Sequence, residues 1–405
     1  MTDDNILSNT QHPAEELPAS WNGVFAMSLC VFALIASEFM PVSLLTPIAL
    51  ELGVTEGMVG QGIAISGAFA VVTSLFISAL AGSMNRKMLL LVLTGLMGLS
   101  GAVVALAPNY FTYMVGRALI GVVVGGFWSM SAATAMRLVP VHQVARALAI
   151  FNGGNALAMV VAAPLGAYLG SIIGWRGAFL CLVPVAVIAL AWQWISLPSM
   201  RAEPRQAGTV FASFALLRNP LVTLGMLAVG TFFMGQFTLF TYVRPFLETV
   251  TLVNVGALSL ILLVMGTAGF IGTVLISPVL KRGFYQTLIA IPLLMAVIAG
   301  ALMMFGTWFA VTVALLAVWG LAGTAAPVGW WVWVPKAFPK DAEAGGGLMV
   351  AVIQLSIALG STLGGVLFDV SGYQSTFAAS VVLLLLATLL AFLTSRLNED
   401  AASGL

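Results

Sequence analysis

The chain has 405 residues, 61% of them hydrophobic and only 7% charged, with a formal net charge of +1. Soluble domains hold about 45–50% apolar and about 25% charged residues, so the water-soluble classes are excluded and a polytopic membrane protein is expected. The near-neutral charge also excludes a nucleic-acid partner recognised through bulk positive charge.

The first twenty residues, Met1 to Ser20, hold four acids and no Lys or Arg. A cleavable signal peptide wants a basic start, so a cytoplasmic tail over 1–20 is expected instead. A membrane-spanning helix takes about 20 mostly apolar residues. Polar or turn-rich breaks cut the chain into twelve such runs, at 21–46, 57–81, 88–107, 110–133, 147–170, 177–197, 220–245, 254–280, 285–305, 308–333, 345–370 and 373–395. The longest polar connector, 198–219, divides them into a first bundle of six (21–197) and a second of six (220–395), followed by a tail at 396–405. If both termini are cytoplasmic, the inner side carries Arg86, Lys87, Arg137, Arg146, Arg201, Arg205, Arg218, Lys281, Arg282, Lys336, Lys340 and Arg396, against Arg176 and Arg244 outside. That positive-inside bias fixes the expected orientation.

Displacing the chain on itself by 198 residues lays Leu165, Gly166, Leu169, Gly174, Trp175 and Phe179 on Leu363, Gly364, Leu367, Gly372, Tyr373 and Phe377. The same offset lays Glu38, Phe39 and Pro47 on Gln236, Phe237 and Pro245. Two six-helix halves in a parallel repeat describe the major facilitator architecture, an all-α membrane fold with its substrate site between the halves near mid-depth.

An ionisable group inside a span usually marks a pathway. Glu38 is the only acid deep in a span, and Arg117 of the fourth span lies at about the same depth. The two are expected to form an ion pair. Either Glu38 carries a proton with Arg117 tuning it, or the pair is a static brace between two helices. Gln236, the repeat partner of Glu38, cannot titrate. It offers a donor and an acceptor to a substrate, or an interhelical hydrogen bond, and Gln354 in the eleventh span is open to the same two readings. Trp128, Phe237 and Phe240 offer stacking faces to a flat ligand or pack as core. Arg244 and Asp369 lie at outer helix ends as gate or snorkelling residues. Trp330, Trp331 and Trp333 read as an interfacial aromatic belt. Gly121/Gly125 and Gly166/Gly170 have the spacing that lets helices approach closely. Asn152 and Asn155 are placed at the start of the fifth span, as possible gate elements.

Cys30 and Cys181 sit in apolar runs and read as small buried hydrophobes. There is no CxxC, no His cluster beyond the isolated His12 and His142, and no GxxxxGK[ST] loop. No metal, cofactor or ATP chemistry is expected. A membrane enzyme would need a nucleophile–base or metal constellation, and none stands out.

The stretches Glu38-Phe39-Met40-Pro41-Val42, Leu44-Leu45-Thr46-Pro47 and Leu52-Gly53-Val54 resemble the first-span signature of the bacterial drug/proton antiporter and sugar-efflux group of the major facilitator superfamily. Gly82-Ser83-Met84-Asn85-Arg86-Lys87 resembles the superfamily's loop between spans two and three, without its usual Asp, which leaves Arg86 and Lys87 as the gating cations. Gly116-Arg117 with Gly121 resembles the fourth-span motif linked to proton coupling. Ala163-Pro164-Leu165-Gly166 is a degenerate antiporter motif. Four further stretches, Gly126-Phe127-Trp128-Ser129-Met130-Ser131, Phe240-Thr241-Tyr242-Val243-Arg244-Pro245, Pro327-Val328-Gly329-Trp330 and Val350-Ala351-Val352-Ile353-Gln354-Leu355, are similar to the purine ribonucleoside exporters of that group. The resemblance implies proton-coupled export of inosine, guanosine and purine analogues across a bacterial inner membrane, by a monomer in the lipid bilayer. A broad drug or sugar exporter is the alternative.

Overall fold

The computed structural model describes residues 19–81, 84–200, 216–337 and 342–403. Most of the N-terminal tail, Gly82 and Ser83 of the loop motif, and Arg201, Arg205 and Lys340 of the expected inner cations lie outside the described residues.

The described residues form helices without strands: α1 (Trp21–Leu52), α2 (Glu56–Ala81), α3 (Arg86–Ala105), α4 (Tyr110–Trp128), a short α5 (Ser131–Arg137), α6 (Val144–Leu180) and α7 (Leu182–Ser196), then α8 (Pro220–Phe240), a short α9 (Val243–Thr249), α10 (Val255–Arg282), α11 (Phe284–Phe305), α12 (Phe309–Ala337) and α13 (Ala342–Ser403). These make the twelve crossings of a major facilitator fold, because α6 and α13 each fold back on themselves. The breaks fall at Gly174 (φ 73°, ψ 164°) and Gly372 (φ 75°, ψ −174°). That backbone region is essentially open to glycine alone. The two glycines are the pair that the 198-residue offset superposes, so the sequence repeat returns as one backbone conformation used twice.

Several crossings start on an asparagine cap. Asn85, Asn109, Asn219 and Asn254 each accept a backbone N–H of the first turn, at 2.9–3.0 Å, which satisfies a donor that the helix leaves orphaned. α1 runs on to Leu52, past the expected end at 46, and stops at Gly53 in the left-handed conformation (φ 66°). α6 begins at Val144, so Asn152 and Asn155 lie two turns inside the fifth crossing rather than at its start.

The packing repeats as well. α1 packs on α6 and α8 on α13; α2 packs on α4 and α10 on α12. The halves then meet along two corresponding seams, α2 on α13 and α6 on α10. Gly121 and Gly125 of α4 lie against Ser66, Phe69 and Ala70 of α2, and Gly166 and Gly170 of α6 against Met40, Ser43 and Leu44 of α1. These are the close approaches that small residues permit.

Each half has its own apolar core. Val24, Leu34, Phe127 and Phe151 belong to the first, and Phe232, Phe246, Trp319 and Phe377 to the second. Large apolar side chains such as Leu50, Ile195 and Val370 remain exposed on the outside, as suits a lipid-facing surface. Two expectations fail here. Trp330 and Trp333 are buried in the second core, and only Trp331 is exposed: the end of α12 turns two indoles inward against its neighbours, Trp333 packing on Gly225 of α8. Cys181 is exposed at the junction of α6 and α7, whereas Cys30 is buried beside Thr94 as expected.

Candidate functional site between the halves

The central polar groups cluster where α1, α4, α2 and α13 converge. Glu38 is 4% exposed and Arg117 1% exposed, yet they do not pair through the carboxylate. Arg117 donates from Nη1 to the carbonyl of Ser37 (2.7 Å), from Nη2 to the carbonyl of Glu38 (2.9 Å) and from Nε to the carbonyl of Gly62 (3.1 Å). The expected ion pair is therefore corrected: the guanidinium binds the backbone of α1 and α2. The reason lies in α1 itself. Pro41 has no N–H to give the carbonyl four residues back, and that carbonyl belongs to Ser37. Arg117 supplies the missing donor.

The Glu38 carboxylate is met from the other half of the protein. Gln354 of α13, 7% exposed, donates its amide Nε2–H to Glu38 Oε1 at 3.2 Å. One residue along α1, the ring of Phe39 packs on Phe237 of α8 with centroids 5.7 Å apart, and Phe237 lies edge-on to Phe240 at 5.6 Å. Gln236 lies against Gly323 of α12 through its Nε2, and its Oε1 is buried without a hydrogen-bond partner among the described residues. Trp128 is not part of this group of rings. It packs edge-on against Phe151, 6.1 Å away, in the core of the first half.

The second proline of α1 repeats the device of the first. Pro47 leaves the Ser43 carbonyl without its helical donor, and Arg244 of α9 reaches across from the second half to bond it through Nη1. Arg244 also pairs with Glu248 at 2.8 Å, and Glu248 Oε2 accepts the Thr46 hydroxyl at 2.6 Å. Arg244 is buried, so it does not snorkel. Asp369, exposed near the end of the eleventh crossing, accepts the Thr55 hydroxyl (2.6 Å) and the Gly57 N–H (3.0 Å) at the start of α2, where an acid complements the helix dipole. These links fasten the halves together from mid-depth to the end opposite the termini.

Arg86 and Lys87 sit at the other end, at the start of α3. The Arg86 N–H bonds the Met200 carbonyl (2.9 Å) and the Lys87 N–H bonds the Asn85 side chain (2.9 Å), while Asn85 also bonds Ser199. This corner is tied to the end of the sixth crossing, within the first half. Ser37, Ser43, Thr46, Thr55, Gly57 and Glu248 were not singled out from sequence. Two prolines in one span, with one buried arginine and one helix-end arginine to answer them, was the available signal. Glu248, four residues after Arg244, was another.

Residues 27–346 match the Major Facilitator Superfamily. The chain belongs to the major facilitator superfamily. Among its relatives, one from Pseudomonas aeruginosa, named transcription regulatory protein OpdE, is 70% identical over 97% of this chain and 98% of its own. Proteins from Salmonella paratyphi C and Salmonella typhimurium, named purine ribonucleoside efflux pump NepI, are 40% identical over 91% of this chain and 93% of theirs. A crystal structure of a bacterial homolog of the human lysosomal transporter Spinster, inward-facing and unoccupied, superposes with a TM-score of 0.74, covering 94% of this chain and 97% of that one at 16% identity. As a major facilitator protein, the chain is a multi-pass membrane transporter.

Proposed function

We propose that this transporter exports purine ribonucleosides, inosine and guanosine among them, in exchange for protons, and that Glu38 carries the proton. The observation that carries the reading is the Glu38 carboxylate: it lies buried at the junction of the halves, while the nearby arginine is occupied by backbone carbonyls. A brace built of two mutually neutralising side chains loses its support. Arg117 then acts as the structural member, holding the segment of α1 that presents Glu38. The cargo follows from the NepI relatives and is compatible with the site. An uncharged heterocycle needs stacking faces, which Phe39, Phe237 and Phe240 offer, and paired donors and acceptors, which Gln236 and Gln354 offer.

One proton crossing 100 mV releases about 2.3 kcal/mol. At about 1.4 kcal/mol per tenfold, this sustains a gradient of roughly fifty-fold. The same reading has the protein as a monomer in a bacterial inner membrane, with both termini cytoplasmic and the fastened end facing out.

The test is uptake of radiolabelled inosine into everted vesicles with an acidic lumen. Accumulation is expected in wild type, and its collapse with a protonophore and in Glu38→Gln. Accumulation that survives in Glu38→Gln removes the proton from Glu38; a wild type inert toward inosine removes the purine assignment. Competition by many unrelated drugs or sugars would favour the broad exporter instead.

The name of the Pseudomonas aeruginosa relative supports a second reading, a role in gene regulation. Transport offers a route to it: exporting a small effector lowers its concentration inside the cell and so changes transcription without contact with DNA. Under that route, Glu38→Gln abolishes the transcriptional effect together with transport. An effect that persists in the transport-dead variant would mark a sensor.

A further inference from the structure

An exchanger must not return empty. If the unloaded protein could swing freely between its two conformations, the proton gradient would drain without moving cargo. Something must hold the unloaded state and let go on loading.

We infer that the hydrogen bond from Gln354 to Glu38 is that lock: it holds the halves together at mid-depth while Glu38 is ionised and unloaded, and either a proton on Glu38 or a substrate competing for the Gln354 amide releases it. This inference rests on the proton-coupled reading above. Three features of the geometry carry it. The bond is made between halves, from α13 to α1, with both side chains buried. It sits on the α2–α13 seam, where a Cβ on Gly67 of α2 would stand 2.8 Å from the Gln354 carbonyl oxygen and 3.1 Å from Ala358 Cβ. The Gln354 backbone lies on this seam, so parting it carries the donor's helix away from Glu38. And the donor is an uncharged amide aimed at a carboxylate, a bond that draws its strength from the negative charge. Protonation removes that charge and weakens the bond, so the closed seam loses part of its fastening.

The surroundings leave the event to Glu38. Arg117 of α4 is the charged group close enough to act on it, with Tyr113 of α4 beyond, next to Gly62. α2 contributes the Gly62 carbonyl, and α6 meets α1 through Gly154, Gly166 and Gly170. Arg244 and Glu248 of α9 engage Ser43 and Thr46, one to two turns further along α1. Arg86 and Lys87 of α3, and Arg137 of α5, belong to the terminus-bearing end.

The test measures conformation without substrate. Spin labels at Leu50→Cys and Val370→Cys, both exposed near the fastened end, are introduced into the full chain with Cys30 and Cys181 replaced by alanine. The label-to-label distance is followed by double electron–electron resonance from mildly alkaline to mildly acidic pH. In wild type, acidification is expected to shift the ratio of long to short distances by roughly tenfold, the difference in equilibrium weight between a hydrogen bond to a charged group and one to its neutral form. Glu38→Gln should be blind to pH. Gln354→Met should also lose the pH response, with long distances already abundant at alkaline pH, and in vesicles it should lose accumulation driven by a pH gradient. Gln354→Asn should restore part of the response.

A wild-type pH response retained in Gln354→Met overturns the lock, as does a wild type that shows no pH response. A wild-type response retained in Glu38→Gln overturns the proton reading itself. Inert inosine with all conformational outcomes as expected would overturn only the purine cargo.

Discussion

Arg117 shows how a buried charge can serve the backbone rather than another charge. Its planar fork spans Ser37, Glu38 and Gly62, a geometry that lysine cannot reproduce. Hydrogen bonds to charged groups are worth about 1.5–3 kcal/mol each, so Arg117→Lys should cost about 3 kcal/mol and lower the melting temperature in detergent. Arg117→Leu should also lose activity, because the Ser37 carbonyl freed by Pro41 would then be buried unpaired. Sequence reasoning brought Glu38 and Arg117 to one depth, because rise per residue gives height. It could not give rotamers, and so it joined the wrong atoms. Nor could it find Gln354 opposite Glu38, since that contact links residues 316 apart and depends on how two halves dock. Burial of Trp330 and Trp333 escaped for a related reason: a span apolar on every face carries no stripe to say which side is inside.

At the level of helices, proline and glycine make the decisive contributions. Pro47 frees the Ser43 carbonyl that Arg244 takes from the other half. Pro47→Ala would return an N–H to that carbonyl and weaken a fastening between halves without touching either partner's side chain. Label distances between Leu50 and Val370 positions should then lengthen at fixed pH. Gly174 and Gly372 hold backbone conformations that cost any other residue about 1–3 kcal/mol. Alanine at either position should lower thermal stability by similar amounts, since the two share one geometry; a marked inequality would mean that the halves fold their hairpins differently. The twelve runs and the two halves were legible because membrane spans declare themselves by composition. The breaks at Gly174 and Gly372 were legible because the repeat drew attention to both at once.

Across the whole molecule, the fastenings form a graded series, from Glu38–Gln354 at mid-depth through Arg244 to Asp369 on the first turn of α2. Asp369→Asn removes charge from the outermost link while keeping its shape. It should leave Glu38 chemistry intact, yet increase labelling of cysteines placed at the fastened end.

The contact between Phe39 and Phe237 has a geometric corollary. These two residues are equivalents of one another under the repeat, and they touch, with ring centroids 5.7 Å apart. A residue that touches its own symmetry mate must lie beside the pseudo-twofold axis, which in a parallel repeat runs along the membrane normal. That axis therefore passes between these rings, and groups beside it travel least when the halves rock. The adjoining equivalents, Glu38 and Gln236, are a carboxylic acid and its amide, nearly the same shape. The duplicated molecule thus departs from its own symmetry beside its pivot by exchanging an amide for an acid, so under the proposed coupling the proton is taken and given up near the point that moves least.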